Sequence, residues 1–350
     1  MKGRVIAVDR LPDGREIAAL QVDGVLEDLL VDAPAEAASP QPGATYHAIV
    51  DRPLKGMGGV TVQLGGGRRG FLREHKGLAP GQKLLVQTTT NAEPGKAVPV
   101  TTRILFKSRY TIVTPDRPGN NISRQIKDEE ERARLADLCA EGMEGASGLG
   151  LILRSAAEGR DEETILADIS DMRKLATEIM ADTGADAPTL LLDAPGAAEL
   201  AWRDWASPEP DEVRERAGSF EELSLWEAVE AAKGSVEKLS GGAWFSVEPT
   251  SALVAIDVNT GGDTSLAAGL KANIATIRAL PRALRVRGLG GQITVDFAPY
   301  PKKERKVLEQ VIRSSLKGDS VETSFAGWTP LGHAEFQRKR ERRPLRELLP

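Results

Sequence analysis

Two short apolar segments of the sequence each end in an aspartate: Leu253-Val-Ala-Ile-Asp257-Val-Asn259-Thr-Gly-Gly262 and Gln292-Ile-Thr-Val-Asp296-Phe297. Each apolar run has the length of a strand that is buried on both faces. Residues 270–287, which lie between them, carry apolar side chains at helical spacing and lead into Gly288-Leu-Gly-Gly291. The pattern predicts a strand, a crossover helix and a second, parallel strand, so that Asp257 and Asp296 reach the same edge of one sheet.

The aspartate pair is the strongest candidate for a chemical site. Two carboxylates at one sheet edge, with the Asn259 amide beside them, suit a hard cation such as Mg2+, which prefers oxygen ligands. The structural alternative is that Asp257 starts the turn at Gly261-Gly262 and that Asp296 caps the helix beginning at Pro301. A lone strand-end aspartate favours that alternative, whereas a matched pair on adjoining strands favours a metal-dependent catalytic centre.

Length and composition bound the class of protein. The chain has 350 residues, of which 41% are hydrophobic and 28% charged, which predicts a soluble protein of two or three folding units. No segment approaches the roughly 18 to 20 apolar residues of a membrane span, and Asp9 and Arg10 interrupt any signal-peptide core. The single cysteine, Cys139, excludes an intrachain disulfide and a four-cysteine zinc site. We therefore expect a cytoplasmic protein without membrane association.

The charge distribution indicates a polyanionic partner although the net charge does not. The net charge of -5 argues against nucleic acid. Residues 41–102, however, contain eight Lys or Arg but only three Asp or Glu, and the last sixteen residues contain six Arg or Lys. Because local basic patches rather than the total charge bind phosphates, the basic segments favour nucleic-acid binding.

The segments upstream of the aspartate pair alternate strands and turns. Residues 1–38 predict an antiparallel meander with turns at Pro12-Asp-Gly14 and Asp23-Gly24. Residues 44–102 contain five short strands with glycine-rich turns, which is typical of a small Greek-key barrel of the OB type. Within it, Phe71 lies among Arg68, Arg69 and Arg73 in the sequence. A ring beside exposed cations is expected to stack on a nucleic-acid base. The alternative is that Phe71 fills the barrel interior.

Two further features point to phosphate. Strands are predicted at residues 110–113 and 149–153, and helices at 127–141 and from Asp161 onward. Arg154 and Ser155 directly follow the second of these strands, where a guanidinium and a hydroxyl can hold a phosphate. The helix after Pro301 has a basic first turn, which the helix dipole disfavours, and this indicates a phosphate-facing surface. In both cases a solvated surface is the alternative.

Several motifs resemble the ribonuclease E/G family and follow that family's order along nearly the whole chain. Those of its catalytic half are Ser240-Gly-Gly-Ala-Trp-Phe-Ser-Val, Ala255-Ile-Asp257-Val-Asn259, Arg285-Val-Arg-Gly-Leu-Gly-Gly291 with Val295-Asp296-Phe297, and Leu331-Gly-His-Ala-Glu335. Upstream, Arg69-Gly-Phe-Leu72 is similar to the family's RNA-binding OB-fold. Asn121-Ile-Ser-Arg-Gln-Ile126 and Gly150-Leu-Ile-Leu-Arg154-Ser155 are similar to its 5′-phosphate-sensing subdomain.

The resemblance implies a mixed α/β fold that is divided into several subdomains of the α+β type. Residues 1–38 and 185–240 would form an RNase H-like subdomain, into which an OB-fold RNA-binding domain (39–102) and a 5′-sensor-like subdomain (103–184) are inserted. Residues 241–350 would form a DNase I-like catalytic subdomain. Asp257 and Asp296 would hold Mg2+, with Asn259 orienting the attacking water, and Arg154 and Ser155 would bind a 5′-phosphate. The implied RNA-binding residues are Phe71, Arg68, Arg69, Arg73, Lys96 and Arg124.

The chain departs from the family pattern at four places. The zinc-linking Cys-x-x-Cys is absent before Pro350, so we expect no zinc link and no zinc-linked tetramer. Whether the chain forms another kind of oligomer is left open. Glu322 aligns with the second arginine of the 5′ sensor, and its charge would repel a phosphate. Thr61 replaces the first aromatic residue of the OB-fold, and the loop after Asn259 is shorter. Metal chemistry is therefore better supported than 5′-end sensing.

These observations lead to one main hypothesis and two alternatives. The main hypothesis is a Mg2+-dependent endoribonuclease, with Mn2+ as the alternative cation, which hydrolyses single-stranded RNA to 5′-phosphate and 3′-hydroxyl ends in RNA processing or decay. A non-catalytic RNA-binding protein of the same fold is the second, favoured by Thr61 and Glu322. A phosphohydrolase of small nucleotides is the third, and it leaves the basic barrel without a role. The three histidines, His47, His75 and His333, are interpreted as scattered structural residues.

Overall fold

The computed structural model describes residues 3–34, 39–54, 56, 58–73, 76–93, 95–115, 117–182 and 186–349. The strands of these residues, numbered in chain order, are β1 Arg4–Arg10, β2 Glu16–Val22, β3 Val25–Val31, β4 Thr45–Leu54, β5 Gly59–Gly65, β6 Arg68–Leu72, β7 Lys83–Thr88, β8 Val98–Thr101, β9 Phe106–Lys107, β10 Thr111–Pro115, β11 Gly119–Ile122, β12 Leu149–Leu153, β13 Thr189–Leu192, β14 Glu212–Glu215, β15 Val236–Lys238, β16 Trp244–Pro249, β17 Val254–Asn259, β18 Gly291–Asp296, β19 Thr323–Trp328 and β20 Ala334–Arg338. The α-helices are α1 Glu129–Gly142, α2 Glu162–Ala181, α3 Ala197–Trp205, α4 Ser219–Glu222, α5 Leu225–Lys233, α6 Leu266–Val286, α7 Arg305–Lys317 and α8 Leu345–Leu348.

The chain forms two compact units of mixed α/β structure. One unit comprises Met1–Pro34 together with Val213–Pro350, and the other comprises Ala35–Glu212. Among the described helices, none is both long enough and apolar enough to cross a membrane. The finer division into four subdomains stays a prediction.

The first unit begins with the predicted meander. Strands β1, β2 and β3 pair antiparallel in sequence order, and β14 adds to the free edge of β1. The turn between β2 and β3 has positive φ at both Asp23 (50°) and Gly24 (81°), which suits a tight hairpin whose twist matches its strands. Phe220, Leu225 and Val229, from the two short helices after β14, pack on this sheet and complete its core.

The second sheet of this unit has the strand order β15-β16-β17-β18-β20-β19. Strands β17 and β18 are parallel and are joined by α6, which confirms the predicted strand, helix, strand unit. Val254, Ile256 and Val258 point into the core beneath α6, while Asp257 is exposed on the opposite face. The expectation that these strands are buried on both faces is therefore wrong. One face is covered by helices, and the other is the polar face of a mixed sheet.

In the second unit, residues 45–101 form a closed barrel of five strands. Its order is β4-β5-β6-β8-β7, and antiparallel pairing of β7 with β4 closes it. The interior is filled by small and β-branched side chains such as Val62, Val86 and Val100. The predicted five-stranded barrel is confirmed.

The remainder of the second unit packs two helices on a mixed sheet. The sheet order is β11-β12-β10-β9, and both α1 and α2 bury their apolar faces on it. Each helix starts at an aspartate cap: Asp128 accepts from the Glu131 amide, and Asp161, the cap that the sequence predicted, accepts from the Thr164 amide. Strand β13 pairs antiparallel with β4 of the barrel, and α3 follows it.

Candidate functional site

A row of polar side chains crosses the open face of the second sheet in the first unit. Asp257 on β17 lies directly opposite Asp296 on β18, and Ser246 on β16 lies opposite Asp257. On the other side, Ala334 of β20 pairs with Val295, so His333 lies next to Asp296. The Nε2 atom of His333 is 3.6 Å from Oδ1 of Asp296. Four neighbouring strands thus place Ser246, two carboxylates and an imidazole side by side.

Asn259 and the turn after it shape one end of this row. The Asn259 amide Nδ2 donates a 2.8 Å hydrogen bond to Oδ2 of Asp257, which fixes the orientation of that carboxylate. Gly261 follows with a positive φ of 73°, and a Cβ there would come within 2.6 Å of the Gly242 carbonyl oxygen. The Ser240-Gly-Gly and Asn259-Thr-Gly segments therefore approach each other through backbone atoms, and this approach leaves no room for a Cβ at Gly261.

The residues of the row fit a magnesium ion better than a zinc ion. Within the described residues, no three His, Cys, Asp or Glu side chains converge as a metal-binding group. The edge offers two carboxylates, both exposed to solvent, with the side chain of Asp296 63% exposed and the His333 imidazole beside it. Mg2+ keeps several waters and is commonly held in proteins by one or two carboxylates, whereas zinc sites use three or four protein ligands. Two exposed carboxylates are the kind of donor that Mg2+ takes, and the cation itself stays a prediction.

The barrel of the second unit presents Phe71 outward. Gly70 faces the interior, since a Cβ there would touch the side chains of Val62 and Val100. Because side chains alternate along a strand, Phe71 lies on the outer surface, where its ring covers the backbone of Gly59. The alternative that Phe71 fills the barrel is thus excluded. Its ring borders an open groove whose lining includes Arg73, Thr89, Pro99 and Thr101.

The predicted RNA-binding cations surround Phe71 in part. Arg68, Arg69 and Arg73 are exposed on or directly after β6, and Arg69 and Arg73 share the outer face with Phe71. Lys96 is exposed but pairs with Glu93, and Arg124 is exposed in the turn after β11. Thr61, which lies opposite Phe71 in the β5–β6 register, is buried and donates its hydroxyl to the Arg52 carbonyl oxygen at 3.2 Å. The surface therefore carries one stacking ring at this position instead of two.

Arg154 is held by the protein itself. Its Nη1 donates to the carbonyl oxygens of Ser108 and Arg203 at 2.6 and 3.1 Å, and its Nη2 donates to Oδ1 of Asp204 at 2.8 Å. Burial alone would raise the pKa of Asp204, but hydrogen bonds and charges from Arg203 and Arg154 outweigh it and lower that pKa. Ser155 follows at the start of a short 3-10 turn and is half-buried. Any phosphate at Arg154 would therefore compete with Asp204.

The sequence profile of the Ribonuclease E/G family matches residues 106–217 and 212–341, which together cover more than half of the chain. The chain belongs to the ribonuclease E/G family. It is 28% identical to ribonuclease E of Nostoc sp. (strain PCC 7120) over 394 aligned positions, which cover 97% of this chain and 56% of that protein. It is 27% identical to ribonuclease G of Salmonella typhimurium (strain SL1344), covering 93% of this chain and 78% of that protein. The chain thus spans little more than half the length of the Nostoc relative.

One residue beside the aspartate pair of this ribonuclease E/G family member was not found by sequence reasoning. His333 was interpreted as a scattered structural residue, but its Nε2 lies 3.6 Å from Oδ1 of Asp296, so it is not scattered, while its role stays a prediction. The Leu331-Gly-His-Ala-Glu335 motif was recognised, but only the pairing of β20 with β18 shows which residue it brings to the row. His47 does fit a structural role, since it is buried and lies 3.0 Å from Asp182. His75 lies outside the described residues. Glu322 pairs with Lys339, whose hydrogen bond and charge lower the pKa of Glu322.

Proposed function

We propose that this chain is a Mg2+-dependent endoribonuclease that hydrolyses single-stranded RNA and leaves 5′-phosphate and 3′-hydroxyl ends. The observation that carries the proposal is the direct register of Asp257 opposite Asp296 on two parallel strands, with Asn259 bonded to the first carboxylate. The names of the relatives, ribonuclease E and ribonuclease G, favour RNA as the substrate. A cytoplasmic location and a role in RNA processing or decay belong to the same proposal.

The roles of the residues follow from their chemistry. Asp257 and Asp296 would hold Mg2+, or Mn2+ in its place, and Asn259 would keep the Asp257 carboxylate in one orientation. When bound, the cation supplies charge neutralisation at the scissile phosphodiester and makes a water more acidic. Phe71 would stack on a base, while Arg68, Arg69, Arg73, Lys96 and Arg124 would contact phosphates of the RNA.

The proposal is tested with a labelled single-stranded RNA, incubated with the protein in Mg2+ and in EDTA. Asp257→Asn and Asp296→Asn should each abolish cleavage and leave RNA binding in EDTA nearly unchanged, because each removes an anionic ligand but no RNA contact. The double variant should lose little more than either single variant, since both carboxylates act on one cation. Glu248→Gln is the matched control, because Glu248 is an exposed carboxylate on β16 of the same sheet.

The outcomes separate the candidate functions. If either aspartate variant keeps more than about a tenth of the wild-type rate, which is 1.4 kcal/mol of barrier, the assignment of the metal site is wrong. Binding without any cleavage in Mg2+ would instead support the second candidate, an RNA-binding protein that keeps the family fold. The observations that favour this candidate are Thr61 at the aromatic position of the barrel and Glu322 at the arginine position of the 5′ sensor.

Recognition of the RNA 5′ end is proposed to be weak. Arg154 and Ser155 match one half of the family's phosphate clamp, but Arg154 already donates to Asp204. We expect cleavage rates on 5′-monophosphorylated and 5′-hydroxylated RNAs of the same sequence to be similar. A strong preference for the monophosphate that disappears in Arg154→Ala would contradict this expectation.

A further inference from the structure

A group of four cations follows the catalytic strand β18 closely. Lys302, Lys303, Arg305 and Lys306 are all exposed, and the acids among residues 297–309 are Glu304 and Glu309. They occupy a short 3-10 turn and the first turn of α7, where the helix dipole disfavours positive charge. Their placement therefore does not arise from stabilisation of the helix, and it requires another explanation. We call these four residues the α7 basic surface.

Arg305 within the α7 basic surface is held in a fixed position. Its guanidinium lies 4.3 Å from the centre of the Trp328 ring. Oε1 of Glu309 accepts from the Trp328 indole Nε1 at 2.9 Å and lies 3.9 Å from Nε of Arg305. Trp328 in turn packs against Phe297, with the ring centres 5.8 Å apart. The Arg305 side chain is nevertheless 46% exposed, so part of its planar fork is open to solvent. An ordered, exposed guanidinium stacked on an aromatic ring is well suited to bind a phosphate group.

The α7 basic surface lies at the same sheet edge as the aspartate pair. Phe297 directly follows Asp296, and the chain then turns over the start of α6. Asn273 of α6 holds this turn, since its Nδ2 donates to the Ala298 carbonyl oxygen at 2.9 Å and its Oδ1 accepts from the Ala298 amide at 3.0 Å. The turn also touches the backbone of α6, because a Cβ at Gly269 would come within 1.9 Å of the Pro299 carbonyl oxygen. The α7 basic surface thus begins at Lys302, six residues after Asp296, and the turn between them is fixed to the core.

We propose that the α7 basic surface binds the backbone phosphates of the RNA strand next to the phosphate that is cleaved. Arg305 would contact one phosphate with its planar fork, and the three lysines would neutralise neighbouring ones. The inference rests on the proposed function, to which it adds a second substrate-binding region on the catalytic unit itself. Single-stranded RNA is favoured as the occupant because the surface adjoins the candidate catalytic edge and offers cations for a chain of phosphates.

The test compares two triple variants that remove equal charge from the same helical layer. The test variant is Lys302→Ala/Lys303→Ala/Lys306→Ala, and the control is Lys271→Ala/Arg278→Ala/Lys317→Ala, three exposed cations elsewhere on α6 and α7. Binding of a fluorescent single-stranded RNA of about 20 nucleotides is measured by anisotropy in EDTA at several salt concentrations. The slope of log affinity against log salt is negative, and in the test variant it should become less steep by about 2, at about 0.7 for each of the three lost phosphate contacts. The control should keep the wild-type slope.

A further variant tests the stacked geometry of Arg305. Arg305→Lys keeps the charge but loses the planar fork, so it should weaken binding about tenfold if the guanidinium contacts a phosphate bidentately. Equal losses in the two triple variants, or wild-type binding in Arg305→Lys, would overturn the inference. In Mg2+, the test variant should raise KM with kcat nearly unchanged. Cleavage that survives Asp257→Asn would refute the proposed function, whereas a test variant that behaves like its control refutes only this inference.

Discussion

Replacing Arg154 with alanine should destabilise the second unit before it affects any recognition of RNA. The guanidinium joins the end of β12 to residues of α3 through the Arg203 carbonyl oxygen and the Asp204 carboxylate. It also holds the Ser108 carbonyl oxygen, next to the start of β10. The side chain is 26% exposed, so most of these bonds are shielded from water. When Arg154 is replaced, acceptors at Ser108, Arg203 and Asp204 all lose their hydrogen-bond donor.

The size of the effect follows from these bonds. A hydrogen bond from a charged donor contributes about 1.5 to 3 kcal/mol when it is shielded from water. The pair with Asp204 is partly solvent-screened, because that carboxylate is 37% exposed, and it counts for about 1 kcal/mol at most. Because the Ser108 and Arg203 carbonyl oxygens share Nη1 and both bonds are only part-buried, we count them together as about 2 kcal/mol, so the expected total loss is about 3 kcal/mol in the free energy of unfolding. In a unit of this size, this corresponds to a melting temperature lowered by about 6 to 12 °C.

The assay is differential scanning calorimetry of Arg154→Ala, Asp204→Asn and the double variant, with Arg124→Ala as the control for removal of an exposed arginine. The double variant should be less destabilised than the sum of the singles, because the two residues share one interaction. The lowered pKa of Asp204 means that its contribution is complete above the unfolded value, about 3.9, and is lost as the pH falls through the folded pKa. An Arg154→Ala protein that melts like the wild type and loses only a 5′-phosphate preference would refute this reasoning.

Three further predictions concern other sites. Phe71→Ala should weaken RNA binding by about 1 to 3 kcal/mol with little change in melting temperature; a melting change without a binding change contradicts this prediction. Burial raises the pKa of the Cys139 thiol to about 11, so iodoacetamide at pH 8 should react far more slowly with folded than with urea-unfolded protein; equal rates would show that the thiol is accessible. His333→Ala should slow cleavage but not change RNA affinity in EDTA, because the imidazole adjoins Asp296; an unchanged rate would assign His333 to structure alone.

The sequence by itself determined the local elements and the central unit of the fold. The aspartate caps of α1 and α2, the Asp23-Gly24 turn and the apolar periodicity of α6 act within a few residues of themselves. The same holds for the strand, helix, strand unit that brings Asp257 and Asp296 to one edge, since a short crossover leaves few other arrangements. The five glycine-punctuated strands of the barrel were also readable, because alternation and turn residues are local signals.

Only the tertiary structure decided which distant residues meet these elements. His333 reaches Asp296 because β20 pairs with β18, and Asp204 reaches Arg154 although about fifty residues separate them. The outward direction of Phe71 depends on strand register, which a shift of one residue would reverse. Apolar runs likewise did not reveal that one face of β17 is open, since the covering helices come from elsewhere in the chain. Such contacts depend on loop closure and packing between remote segments, for which a short stretch of sequence carries no signal.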